Sequence, residues 1–404
     1  MARLLFVTQW FDPEPNIIKG PAFVRALEAA GHSVDVLTGL PNYPTGLIYP
    51  GYRLKLLQRE TIGGVRVFRV PLYPSHDASS LRRSLNFASF FVSVLLFLIL
   101  RGRRYDAWYV YHPPITPGVA AALAGKLLQR PFMLEIQDLW PDTVTVSNMS
   151  GAGRLETLLN ALCNFTYRRA KRIVVQSHGI AERLRGRGVP PAKIEVIRNW
   201  ADDTALSLPL ANRGALELTD HFTVIYAGNL GRMQALGTAL QAMATLQANG
   251  SSSRLVLVGD GIEREALMAE ARRLDLRNVR FVGRVPQQEI GRWFAAADAL
   301  LLHIASDPLF TITIPSKTQF YLASGRPIIA GIGGEAAELL ASSGAACVVP
   351  PEDAKALAGA IERMAGLTET QRGDMAAAGR AYYSAHVAFE QGVRKTLALL
   401  DEAL

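Results

Sequence analysis

The sequence predicts an α/β protein of two doubly wound, Rossmann-like domains. Its 404 residues are too many for one ordinary core and suit two of roughly 200 each. Short apolar runs alternate with helix-length amphipathic stretches, as in a parallel sheet covered on both faces. The alternation runs twice, with one polar interruption between.

In the first half, strands are expected at 4–8, 33–38, 65–70, 107–111, 132–136 and 172–176. In the second they fall at 222–226, 253–258, 279–282, 299–302, 327–330 and 346–349. Polar and small residues across 199–213 break the series. The domains are therefore read as 1–203 and 204–385, with 386–404 a terminal helix expected to pack back on the first. Ligands of open α/β sheets sit beyond the carboxyl ends of the strands, which places the expected site in a cleft between two facing sheets.

Composition narrows the class. Cys163 and Cys347 stand alone without a C-x-x-C pair, which excludes a disulfide framework or cysteine zinc site and suits a reducing cytoplasm. The opening run MARLLFVT is too short for a signal peptide and lacks a cleavage site, so it reads as the first strand. Residues 1–200 hold 25 Lys+Arg against 13 Asp+Glu, and the remainder 18 against 22. A basic first half points to an anionic surface or substrate. No RNP-type strand or zinc finger accompanies it, so nucleic acid is not expected as a partner.

Residues 85–100, LNFASFFVSVLLFLIL, form the most apolar stretch, flanked by Arg82, Arg83, Arg101, Arg103 and Arg104. Sixteen helical residues rise about 24 Å, short of the ~30 Å hydrocarbon core. A helix lying in one leaflet fits best, its arginines on headgroups and Phe90, Phe91, Leu95 and Leu96 in lipid. A buried core helix and a true span are the alternatives.

Three glycine turns carry chemistry. Tyr226-Ala227-Gly228-Asn229-Leu230-Gly231 ends a strand and leads into a helix, where backbone amides approach a pyrophosphate. Val258-Gly259-Asp260-Gly261 and Phe281-Val282-Gly283-Arg284-Val285-Pro286 follow at later strand ends. The run IPSKTQFYLASGRP, 314–327, places Pro315 in the first turn of a helix and Gly325 at its C-cap. Ser316 and the amides behind it suit a diphosphate. Lys317 stands against the dipole preference of a helix N-terminus, so either an anion sits there or the lysine is exposed and neutral in effect.

In the first half, Asp138 follows a strand, where it can orient a hydroxyl or take its proton, or simply cap a turn. Asn42, Tyr43 and Thr45 lie in a proline-bracketed loop, and Glu14 lies in the first βα loop. His112 and His303 end strands, as structural or site residues. There is no D-x-D, P-loop, H-E-x-x-H or G-x-S-x-G motif.

The order GN-x-G, VGDG, FVGRVP, PSK-x-x-x-YLA-x-GRP and GGEAAELL resembles the donor half of glycosyltransferase family 4. QWFDPEP, LTGLPNYPTG, YPGY and QDLWPD are similar to the branch holding N-acetyl-L-fucosamine transferases (WbuB-like). The resemblance implies a GT-B fold and retaining, metal-independent transfer without a cofactor. It further implies a UDP-sugar donor, a polyprenyl-diphosphate-linked or lipopolysaccharide saccharide acceptor, and a place on the inner face of a bacterial cytoplasmic membrane. The family's acidic E-x7-E pair falls on Ile312 and Phe320, and its usual Arg and Lys fall on Asn229 and Gln234. Lys317 becomes the principal cation, with Arg232 and Arg284 behind it. Donor contacts are expected from Gly228, Asn229, Gly231, Arg232, Gln234, Gly259, Gly261, Arg284, Ser316, Lys317 and Gln319. Acceptor contacts are expected from Glu14, Asn42, Tyr43, Thr45 and His112, with Asp138 and Lys317 catalytic. A catalytically altered GT-B partner subunit and a UDP-sugar 2-epimerase are the rival readings.

Overall fold

The computed structural model describes residues 1–15, 18–75, 79–112, 114–140, 142, 154–201, 212–218 and 221–404. It divides into two compact units, Met1–Arg198 with Glu390–Leu404, and Asn199–Phe389. The 203/204 boundary read from the sequence lies outside the described residues.

The first unit holds an eight-stranded sheet in the order β3-β4-β2-β1-β5-β6-β7-β8. These strands are β1 (Arg3–Val7), β2 (Ser33–Gly39), β3 (Gln58–Ile62), β4 (Val65–Val70), β5 (Ala107–His112), β6 (Phe132–Ile136), β7 (Arg172–Val175) and β8 (Ile194–Val196). All pairs are parallel except β3 with β4. Its helices are α1 (Pro21–Ala29), α2 (Ser80–Arg101), α3 (Thr116–Leu128), α4 (Arg154–Arg169) and α5 (His178–Gly186). Pro21 opens α1 where a missing N–H costs nothing, and the Ser79 side chain caps α2 by accepting from the Arg82 amide.

The second unit holds six parallel strands in the order β11-β10-β9-β12-β13-β14. They are β9 (Thr223–Ala227), β10 (Arg254–Val258), β11 (Val279–Gly283), β12 (Ala299–His303), β13 (Ile328–Gly331) and β14 (Ala346–Val349). The helices longer than four residues are α6 (Gly237–Ala248), α7 (Arg264–Arg273), α8 (Ile290–Ala296), α9 (Ser316–Ser324), α10 (Gly334–Ser342), α11 (Ala354–Gly366) and α12 (Glu369–His386). Buried clusters cover both faces, one around Ile225, Leu300 and Tyr321, the other around Tyr226, Leu301 and Ile329. The last helix, α13 (Phe389–Ala403), returns to the first unit, where Glu402 pairs with Arg172.

Strand order reverses between β1 and β5 in one sheet and between β9 and β12 in the other. Those switch points are where doubly wound sheets bind ligands.

Candidate active site

In the second unit, β9 runs buried to Ala227 and ends at Gly228, φ +143, a conformation that only glycine adopts freely. Gly259, φ +141, ends β10, and a Cβ there would overlap the Gly228 carbonyl. The two turns touch backbone to backbone. Gly228 N donates to Val258 O at 2.9 Å, Leu230 N to Asp260 O at 2.8 Å, and Gly259 N to Gly283 O at 2.8 Å. The strand ends are thus laced into one edge.

Lys317, in the first turn of α9, lies across that edge. A Cβ on Gly228 would come within 2.6 Å of its Nζ. The ammonium donates to the Tyr226 hydroxyl at 2.6 Å and stands 4.2 Å from the ring centroid. Tyr226 in turn donates to Asn229 O at 2.6 Å. Among the described residues no carboxylate pairs with Lys317, and burial pushes its pKa down to about 8. A partly desolvated cation in the first turn of a helix is a setting that favours an anion. Ser316 is exposed beside it.

Other expected donor residues are engaged in the scaffold. Gln234 Oε1 accepts from Gly231 N at 3.1 Å and lies 3.4 Å from Asn229 Nδ2. The Gln234 carbonyl lies 2.8 Å from His303 Nδ1, while His303 Nε2 accepts from Glu352 N at 3.3 Å. Both ring nitrogens are used, so His303 is a neutral brace. Gln319 is buried, and with its amide oriented to donate, it meets the Pro315 and Ser316 carbonyls at 3.0 Å; it holds the helix start together. Arg232 is exposed and paired with Glu263 at 3.2 Å, and Arg284 is exposed.

In the first unit four of the residues singled out from the sequence are turned inward. Glu14 is 1% exposed, and its Oε1 accepts from Asn42 N and Tyr43 N, both at 2.8 Å. It pins the loop from beneath. Asn42 is likewise inward, donating to Leu40 O at 2.9 Å; Tyr43 is half-buried and Thr45 exposed. His112 is fully buried, neither ring nitrogen finds a partner among the described residues, and burial pushes its pKa down to about 3. It is a neutral core histidine. Phe90, expected in lipid, is also fully buried.

Asp138 stands exposed just past β6, with the surrounding protein raising its carboxyl above the ordinary value. Asp142 is committed to Arg187 and Arg183; its neighbour Pro141 in the QDLWPD motif lies outside the described residues. Sequence reasoning missed a fully buried ion pair, Lys19 Nζ to Glu135 Oε2 at 3.1 Å. Tyr109 also donates to Glu135, as does Gln137 at 2.6 Å. The signal was present, because Glu135 is the one charge inside the apolar run FMLEI.

Helix α2 is longer than expected and two-faced. Asn86, Phe90, Val94, Phe97 and Leu98 are buried. Leu85, Val92, Leu96 (54%) and Leu100 (77%) are exposed. Phe91 and Leu95 are intermediate, and Arg82, Arg103 and Arg104 are exposed at the ends, with Arg83 and Arg101 partly covered. By length and composition 81–104 is apolar enough to cross a membrane. Its inner face is nevertheless spent on the unit's own core.

Residues 22–200 match the family described as "Glycosyl transferase 4-like domain", and residues 221–366 that described as "Glycosyl transferases group 1". The chain is built from two glycosyltransferase domains. WcaI of Escherichia coli (strain K12), named as a colanic acid biosynthesis glycosyl transferase, is 27% identical over 354 residues, 84% of this chain and 86% of WcaI. WbjE of Pseudomonas aeruginosa, named as a glycosyltransferase, is 24% identical over 330 residues, 78% of this chain and 80% of WbjE. Anabaena HepE, solved in complex with UDP and glucose, matches with a TM-score of 0.70 at 16% identity, over 99% of this chain and 100% of HepE. The fold is GT-B.

Proposed function

We propose that this glycosyltransferase moves a sugar from a UDP-sugar onto a lipid-linked saccharide during surface polysaccharide or lipopolysaccharide synthesis. The observation that carries the donor half is Lys317, in the first turn of α9, lying across the Gly228 turn as an ammonium that pairs with no carboxylate among the described residues. The UDP and glucose bound by HepE, and the polysaccharide named for WcaI, support the same reading. An acceptor hydroxyl oxygen forms the new bond to the anomeric carbon as the bond to the diphosphate breaks. UDP leaves with the electron pair, and Lys317 neutralises it. The acceptor proton passes to a departing phosphate oxygen, while Asp138 orients the hydroxyl. Attack on the face that the nucleotide leaves retains configuration without a covalent enzyme intermediate, and the reaction needs no metal. The motifs of the N-acetyl-L-fucosamine branch make that sugar, or a related amino sugar, the donor to test first.

Docking is assigned to the outer face of α2, on an anionic phospholipid surface at the inner face of a bacterial cytoplasmic membrane. Exposed leucines between Arg82 at one end of the helix and Arg103 and Arg104 at the other match apolar chains beneath acidic headgroups. A calorimetric screen of UDP, GDP, ADP and TDP tests the donor half; preference for a base other than uracil would reject UDP. UDP binding without turnover on any lipid-linked acceptor would instead support an inactive partner subunit, the reading motivated by Ile312 and Phe320.

A further inference from the structure

Asn86 and Phe87 are neighbours on α2, and each reaches a different loop. Asn86 Oδ1 accepts from Gln9 Nε2 at 2.6 Å, and its Nδ2 donates to Tyr73 O at 2.7 Å and approaches Asn42 Oδ1 at 3.4 Å. Asn42 belongs to the 40–46 loop that Glu14 pins. The Phe87 ring meets Trp140 edge-on, centroids 6.0 Å apart, and Trp140 meets His112 at 6.3 Å. A buried carboxamide in so apolar a helix is costly unless its hydrogen bonds are made. Here they are made to loops, while the opposite face of the same helix exposes Leu85, Val92 and Leu96.

We infer that α2 is a positioning element: through Asn86 and Phe87 it sets the 40–46 and 137–140 loops, so a lipid surface seated on its outer face steadies both. This rests on the docking reading above. Lipid shifts the loops only insofar as it favours one arrangement of α2 over others. The coupling is also reciprocal, so an occupant of the loops tightens lipid binding by the same factor.

Hydrogen exchange on the full chain, with and without phosphatidylglycerol vesicles, tests it. Vesicles are expected to slow exchange at both loops of the wild type by about fivefold. In Asn86→Leu, vesicle binding persists and the effect at 40–46 disappears; in Phe87→Ala the effect at 137–140 disappears. Wild type that binds vesicles with both loops unchanged overturns the coupling alone, as does an effect kept in both variants. Wild type that does not bind vesicles overturns docking and coupling together. Should a variant fail to fold, the wild-type comparison still decides.

Discussion

The Lys317 ammonium donates to the Tyr226 hydroxyl at 2.6 Å, and Tyr226 passes a hydrogen bond on to the Asn229 carbonyl. One phenol thereby joins the cation to the glycine turn it serves. In the proposed reaction, removing the cation removes charge stabilisation of the leaving diphosphate. Lys317→Ala is expected to lower kcat/KM for the donor about 100-fold. Tyr226→Phe leaves the charge and frees its position, so a loss of about tenfold or less is expected, the scale of one hydrogen bond. Equal losses in the two variants, by steady-state kinetics, would contradict this division of labour.

The depressed pKa of Lys317, about 8, gives UDP affinity a pH dependence with a defined sign. In the proposed site the protonated form attracts the diphosphate, and binding raises the pKa. Affinity should be level near pH 7 and fall as pH rises through about 8, towards tenfold per unit. Titration calorimetry at several pH values checks this, and the slope should vanish in Lys317→Ala.

Gly259 has φ +141 and no room for a Cβ beside the Gly228 carbonyl. Gly259→Ala must therefore strain its backbone and part the two turns. Destabilisation of roughly 2 kcal/mol or more is expected in denaturant unfolding, together with lost UDP binding. Gly250, also at positive φ but with open space around it, serves as the control; Gly250→Ala should leave UDP binding intact.

Much of the fold was legible because apolar runs mark buried parallel strands. β3 escaped, since its half-exposed residues QRETI carry no such run, and β8 is only three residues long. The glycine turns were legible because a left-handed backbone demands glycine. Tyr226 as the Lys317 partner was not, because nothing in a strand residue's spacing announces a contact 91 positions away. The bracing of Asn42 and Tyr43 by Glu14 was not legible either, because these residues lie 28 and 29 positions apart. In α2 apolar residues surround the helix, so periodicity could not tell Phe90 from Leu96; the buried Asn86 marks the inner face.

Glu14 shows what such a brace costs. Burial lifts its pKa to about 7, so the folded chain binds this proton more tightly than the unfolded chain. The resulting stability is present at low pH and is lost as pH rises from the ordinary carboxyl value through about 7, by at most about 3 kcal/mol. Glutamine keeps an oxygen for the Asn42 and Tyr43 amides without the charge. Glu14→Gln should therefore be more stable than wild type near pH 8, with the gap closing towards about pH 4. Urea titrations at those pH values test the sign.

The two faces of α2 predict opposite phenotypes. Phe90 has no exposure and packs inward, so Phe90→Ala opens a cavity and should destabilise the chain by about 3–5 kcal/mol, with vesicle binding retained by the folded fraction. Leu96 is half exposed on the outer face. Leu96→Glu should change stability little, since surface substitutions fall within about 0.5 kcal/mol. Under the proposed docking it places a charge against acyl chains and anionic headgroups, however, so co-sedimentation with phosphatidylglycerol vesicles should be lost. If Leu96→Glu sediments like wild type while Phe90→Ala does not, the lipid-facing side of α2 has been assigned backwards.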